Sequence, residues 1–182
     1  MSKIKKIHVL ILPSWYPLMK DEIGGSFFRE QAIALNDKGH NVGLIYPYDM
    51  TIKSYIKKLL LNLKYPEYEI DSGVSTYRSN YKVLPTRKKS LNEKYLATGL
   101  KLFNKYINEN GKPDILHVHS IFDAGFLAEE IKRLFNIPYV ITEHSTAYSR
   151  ELLNKDDLIK ARSVVDNSSY CIAVSNEFAK LL

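Results

Sequence analysis

Two histidines two residues apart, His117 and His119, sit in the run Pro113-Asp114-Ile115-Leu116-His117-Val118-His119-Ser120. On an extended chain that spacing puts both imidazoles on one face and Leu116 and Val118 on the other. A second polar pair, Glu143-His144, closes the apolar run Pro138 to Thr142, and Gly24-Gly25-Ser26 stands just before a helical pattern. An imidazole can donate or accept a hydrogen bond, move a proton or ligate a metal. Adjacent glycines let the backbone come close to a ligand, and the first amides of a helix form a ready-made anion site. The chemistry these residues suit is the holding of a phosphorylated ligand at Gly24, Gly25 and Ser26, with His119 at the carboxyl end of its strand, where open α/β sheets bind their ligands.

The elements that must position them read as alternating strands and helices. Ile7 to Leu12 is a near-continuous apolar run, as in a strand covered on both faces. His8 within it reads as a satisfied core or strand-end residue. A loop from Pro13 reaches the glycines, and Phe27, Phe28, Ala32, Ile33 and Leu35 then recur at helical spacing, with Gly39 as a stop. Asn41 to Pro47 is a second strand. Thr51 to Lys64 is an amphipathic basic helix with Ile52, Ile56, Leu59, Leu60 and Leu63 on one side; that side can lie on an anionic membrane surface or cover the sheet, and covering the sheet is the expected use. Between Tyr68 and Pro85 the alternation of Val74, Thr76 and Arg78, then Tyr81 and Val83, predicts a hairpin or an antiparallel excursion broken at Ser79-Asn80. Helices follow over Leu91 to Asn110, Ala124 to Phe135 and Asp156 to Asn167, with strands at the His117–His119 run, at Pro138 to Thr142 and at Tyr170 to Val174. Ser175 is expected to cap a final helix that the chain leaves short at Leu182, so the natural protein is expected to continue.

This alternation predicts an α/β fold: a Rossmann-like, doubly wound, mostly parallel sheet with helices on both faces. In the strand order 3-2-1-4-5-6 the first and fourth strands are neighbours, and ligands bind beyond the carboxyl ends at that point. The glycine loop, His119 and Glu143-His144 would then share one crevice.

Composition narrows the class. The chain is 45% hydrophobic and 25% charged over 182 residues, which suits one globular domain spanning residues 1–182. No apolar run nears the ~20 residues of a membrane-spanning helix, and the start leads into a strand rather than a signal peptide, so a cytoplasmic location is expected. Cys171, the one cysteine, lies in an apolar run and reads as a buried, inert thiol. The net charge of +6 suits nucleic acid, an anionic membrane or phosphorylated ligands without choosing among them.

Rival chemistries fit less well. A nicotinamide-binding turn needs G-x-G-x-x-G directly after the first strand, whereas here the loop Pro13 to Ile23 intervenes and the third glycine is missing. No G-x-x-x-x-G-K-[ST] phosphate loop occurs. A metal site on His117, His119 and His144 would supply three ligands, but no carboxylate is spaced to complete it, and no metal is assigned.

Four segments carry a resemblance: Gly24-Gly25-Ser26-Phe27-Phe28-Arg29-Glu30-Gln31-Ala32, Lys38-Gly39-His40-Asn41-Val42, Pro113 through Ser120, and Ile137-Pro138-Tyr139-Val140-Ile141-Thr142-Glu143-His144. Together, in that order, they resemble the amino-terminal half of family 4 glycosyltransferases. The resemblance implies the GT-B architecture, two Rossmann-like domains facing a cleft, with this chain as the acceptor-side domain and the donor-binding carboxy-terminal domain absent from it. It implies transfer of a sugar, with retention of configuration, from a nucleotide-sugar donor to a sugar or lipid-linked acceptor, often in cell-envelope or capsular polysaccharide synthesis. Gly24, Gly25 and Ser26 are similar to the loop that approaches the donor diphosphate. His119 is similar to the histidine at the reacting centre, and Glu143 and His144 to a second cleft-lining loop. The implied partners are the donor, the acceptor, the protein's own carboxy-terminal domain and a peripheral membrane surface at the inner face, with no nucleic acid, no metal and no cofactor. The family's donor-side E-x7-E pair belongs to the missing half. Glu22 and Glu30, and Glu143 and Glu151, match that spacing by chance and receive no such role. Alone, this domain is expected to be inactive. The alternative reading is a non-catalytic Rossmann-like module that binds a phosphorylated ligand.

Overall fold

The computed structural model describes residues 5–19, 22–83, 88–144, 147–148, 150 and 152–180, so Glu151 lies outside the described residues. Among the described residues seven strands form one sheet: β1 (His8–Pro13), β2 (Asn41–Thr51), β3 (Tyr68–Asp71), β4 (Val74–Val83), β5 (Ile115–His119), β6 (Tyr139–Glu143) and β7 (Tyr170–Ala173). The helices are α1 (Ser26–Asp37), α2 (Ile52–Leu60), α3 (Lys88–Asn110), α4 (Phe126–Phe135), α5 (Lys155–Asp166) and α6 (Asn176–Ala179). A five-residue kinked turn, Ile121–Gly125, leads into α4.

The strand order is β3-β4-β2-β1-β5-β6-β7, and every pairing is parallel except β3 with β4. Set aside β3, and the six parallel strands stand in the predicted order. The antiparallel excursion is the β3–β4 hairpin, turning through Ser72 and Gly73, and β4 runs unbroken through Ser79 and Asn80.

Alternation along β1 divides the core. Val9 and Ile11 face Phe28 and Ala32 of α1, while Leu10 and Leu12 face Phe103 and Tyr106 of α3 and Leu127 and Ile131 of α4. Each face has its own continuous apolar layer, the reason a doubly wound sheet needs nearly uninterrupted hydrophobic strands. His8 is satisfied as expected, its Nε2 lying 2.6 Å from the Tyr106 hydroxyl.

Two further expectations fail. β2 continues past Pro47 to Thr51. Its pairing with β1 ends at Leu44 while its pairing with β4 runs to Thr51, so Pro47 sits where the strand has one neighbour and its missing N–H is tolerated. The second failure is α2, which does not cover the sheet. None of its residues is buried, and Leu59 and Leu60 are 71% and 78% exposed.

Candidate functional site

The carboxyl ends of β1, β5 and β6 lie side by side, with Pro13 opposite His119 and His119 opposite Thr142. Backbone bonds continue the register into the loops: Ser14 N donates to His119 O at 3.1 Å and Ser120 N to Thr142 O at 3.0 Å. Immediately beyond His119 the chain takes two conformations that non-glycine residues avoid, Ser120 at φ 72°, ψ 142° and Asp123 at φ 61°, ψ −74°. Each costs about 1–3 kcal/mol, and such positions cluster where surrounding structure holds a functional loop in place. Two side chains do the holding. Ser14 Oγ donates to Phe122 O at 2.5 Å, and Glu143 accepts from Ile121 N at 2.6 Å and from His144 N at 2.8 Å. Glu143 is 0% exposed, which corrects its reading as a cleft-lining residue. It ties the β5 exit to the β6 exit from inside.

Three histidines form a column on the α1 side of the sheet. The His117 and His119 rings are 4.3 Å apart, and His119 Nδ1 is 3.3 Å from His144 Nε2. His117 Nε2 is 2.9 Å from Thr142 Oγ1. Burial is the main force on their titration, with the neighbouring imidazoles adding to it. It pulls His119 down to about 2 and His117 to about 4, and burial alone lowers His144. All three are neutral at physiological pH. His119 is 0% exposed, so its strand-end position does not make it an open tip. Its Nε2 is buried without a hydrogen-bond partner, an unpaired polar atom of the kind that calls for an explanation.

The cover over His119 comes from the glycine loop. The Phe28 ring lies 4.5 Å from the His119 ring and 5.1 Å from that of His144, and Phe27 lies 5.1 Å from His144. Because Phe27 and Phe28 follow Ser26 directly, the start of α1 and the end of β5 meet at one place. The two glycines differ. Gly25 is buried at φ 79°, and a Cβ there would come within 3.2 Å of Trp15 and Tyr16, so the turn requires glycine. A Cβ on Gly24 would meet nothing within 4 Å. No side chain caps α1 and no acidic residue occupies its first turn, which leaves the positive end of the helix uncompensated.

The sequence-predicted residues Gly24, Gly25, Ser26, His119 and His144 therefore gather at one end of the sheet, with Glu143 beneath them. Sequence reasoning missed Ser14, Ser120 and Asp123, whose importance lies in backbone geometry that residue type does not announce. It also missed a cavity of about 330 Å³ beyond the ends of β1, β2 and β4, lined among others by Ser14, Asp49, Tyr95 and Asp123. A longer second strand would have signalled it, because Asp49 then belongs to the strand beside Tyr81 rather than to the loop beyond it. Among the described residues, no three His, Cys, Asp or Glu side chains converge as a metal site.

A family model described as Glycosyltransferase Family 4 matches residues 24–182. The chain is 27% identical over 179 residues to the putative teichuronic acid biosynthesis glycosyltransferase TuaC of Bacillus subtilis strain 168, covering 93% of this chain and 44% of that relative. Among solved structures it resembles the catalytic domain of starch synthase IV from Arabidopsis thaliana bound to ADP and acarbose, at 14% identity and a TM-score of 0.63, over 98% of this chain and 48% of that one. It also resembles the UDP-GlcNAc 2-epimerase of Methanocaldococcus jannaschii, at 18% identity and a TM-score of 0.52, over 94% and 40%. At such identities the structures share the fold alone, and one of them is named for a different reaction. The chain spans less than half the length of these relatives. The family model, matching most of the sequence in the region that builds the site, carries the assignment: this chain belongs to glycosyltransferase family 4.

Proposed function

We propose that this chain is the acceptor-side, amino-terminal half of a GT-B glycosyltransferase, which transfers a sugar from a nucleotide-sugar to an acceptor with retention of configuration. The observation that carries the reading is the meeting of the α1 start with His119, in a chain whose family is glycosyl transfer. A nucleoside diphosphate is already a good leaving group. Catalysis can therefore come from positioning and from donors aimed at the charge that develops on the departing phosphate. The uncompensated amino end of α1 at Gly25-Ser26 suits that charge, and open space at Gly24 suits close approach of the diphosphate. Neutral His119 has an unpaired Nε2 to offer a sugar hydroxyl. In the closed chain Phe28 and His144 cover it, so the proposed contact includes their displacement when donor binds against a second domain. No metal or cofactor enters the proposal.

The biological setting is proposed to be cell-envelope or capsular polysaccharide synthesis, as the name of the Bacillus relative suggests, on a sugar or lipid-linked acceptor at the inner membrane face. No helix among the described residues is long and apolar enough to cross a membrane. A peripheral contact is supported by α2, where exposed Ile52, Tyr55, Ile56, Leu59 and Leu60 accompany Lys53, Lys57 and Lys58.

The test is a screen of nucleotide-sugars with the intact protein, following release of nucleoside diphosphate and the anomeric configuration of the product by NMR. Release with one donor and a retained anomeric configuration are expected. Tight nucleotide binding with no release from any donor would favour the binding module instead.

A further inference from the structure

Among the described residues, the lining of the cavity near the ends of β2 and β4 is chemically one-sided. Asp49 and Asp123 bring two carboxyl groups to it, Ser14 and Asn92 add uncharged polar groups, and Tyr46, Tyr48, Tyr81 and Tyr95 supply aromatic faces. Among the described residues that line it, none is a lysine, arginine or histidine. At about 330 Å³ it stands at the small end of ligand sites, room for a single ring rather than an extended molecule.

An independent observation points to a ligand. Tyr95 is 3% exposed, and its hydroxyl is buried without any hydrogen-bond partner. A buried donor left unmade is costly, so an unpaired hydroxyl on a residue that lines a cavity marks a place where a second polar group can complete the bond. Asp123 is held toward the cavity by the unusual backbone of the Ile121–Gly125 turn, the same turn that Ser14 and Glu143 tie down. Burial, and then the charge of Asp49, push its carboxyl upward from the ordinary range. Ser14 connects the two sites, since it lines the cavity while its N–H bonds to the His119 carbonyl.

We propose that this cavity is a specificity pocket for the acceptor, selecting a sugar ring that presents hydroxyl or amino donors to Asp49, Asp123 and Tyr95 and rejecting rings that carry a carboxylate or phosphate. The proposal rests on the glycosyl-transfer reading and names its acceptor class. An ionised carboxylate is an acceptor only, so vicinal hydroxyls match it, while a uronate or sugar phosphate would bring a like charge into a partly buried site. The tyrosine faces suit the C–H surface of a pyranose ring.

The experiment uses the intact protein and four probes, methyl glucoside, glucosamine, glucuronate and glucose 6-phosphate, with binding read by NMR titration at neutral pH. The two donor-rich probes are expected to bind at least about tenfold more tightly than the two anions, the scale of one charge-assisted hydrogen bond. Tyr95→Phe should weaken the neutral and amino sugars by about threefold to tenfold, leave nucleotide-diphosphate binding unchanged and leave Tm unchanged or raised, because the lost hydroxyl has no partner. Asp49→Asn with Asp123→Asn should abolish the discrimination against glucuronate. Equal binding of glucuronate and methyl glucoside to the native protein would overturn the proposal, as would no sugar binding at all or neutral-sugar binding untouched by both variants. Nucleotide-sugar turnover persisting alongside those negative results would sink the pocket and spare the transfer reading. Selective sugar binding without turnover of any donor would sink the transfer reading and leave only a sugar pocket.

Discussion

His119 and His144 meet through ring nitrogens 3.3 Å apart, although 24 residues of helix, loop and strand separate them in sequence. One proton shared between the two imidazoles satisfies both of these atoms. It leaves Nε2 of His119 as the unpaired position, under the rings of Phe28 and His144.

Acid should weaken this protein through its histidine column. His119 and His117 titrate in the native state at about 2 and about 4, below the ordinary value of 6.5, so between those limits the unfolded chain binds more protons than the native one. Stability is whole above that ordinary value and falls as pH drops below it, by up to about 1.4 kcal/mol per pH unit for each group. Denaturant unfolding at several pH values between 7.5 and 5 should show this slope, and His119→Gln should reduce it. An identical slope in the variant would exclude His119 as a source.

Removing His119 should cost more than turnover. Because the ring is fully buried against Phe28 and pairs with His144, His119→Ala opens a void and strands a polar nitrogen, lowering stability by about 2–4 kcal/mol. Sugar transfer measured well below the lowered Tm should still fall at least about tenfold, by loss of one hydrogen bond to the reacting sugar. Full turnover in a destabilised but folded variant would make His119 a packing residue alone.

The two glycines should separate by substitution. Gly25→Ala meets a positive φ and the crowded Trp15-Tyr16 backbone, and it should lower stability by about 1–3 kcal/mol. Gly24→Ala has room, so its Tm should stay near that of the native protein while KM for the nucleotide-sugar rises. A fall in Tm for Gly24→Ala with KM unchanged would reverse this assignment.

Leu59→Glu with Leu60→Glu should leave stability unchanged, since both side chains lie mostly in solvent, and should reduce sedimentation with vesicles containing anionic lipid. Loss of binding in high salt alone would reduce the contact to the lysines. Undiminished binding by the double variant would remove α2 from the membrane contact.

Much of this could be read before any coordinates. The apolar runs of β1, β5 and β6, each followed by a helical pattern, specify a parallel sheet, because only strands covered on both faces are apolar at successive positions. The handedness and shortness of the connections then limit the order of the strands. Gly25 and His119 could be singled out because a glycine before a helix and a histidine at a strand end are local signals. Where such signals were ambiguous the reading failed. Pro47 looked like a strand end until its single-neighbour position became visible, and the apolar side of α2 looked like a core face because amphipathicity does not say what covers it.

What the sequence determined by itself is therefore the architecture and the approximate place of the site, both of which follow from periodicity and residue type along short stretches. The tertiary structure alone decided that Glu143 is an internal tie between two loops, that His119 is sealed by Phe28, and that Asp49, Tyr95 and Asp123 share a cavity. These relations join residues dozens of positions apart, through burial and backbone dihedrals that no local pattern encodes. The same carboxylate or imidazole takes its role from what the folded chain places around it.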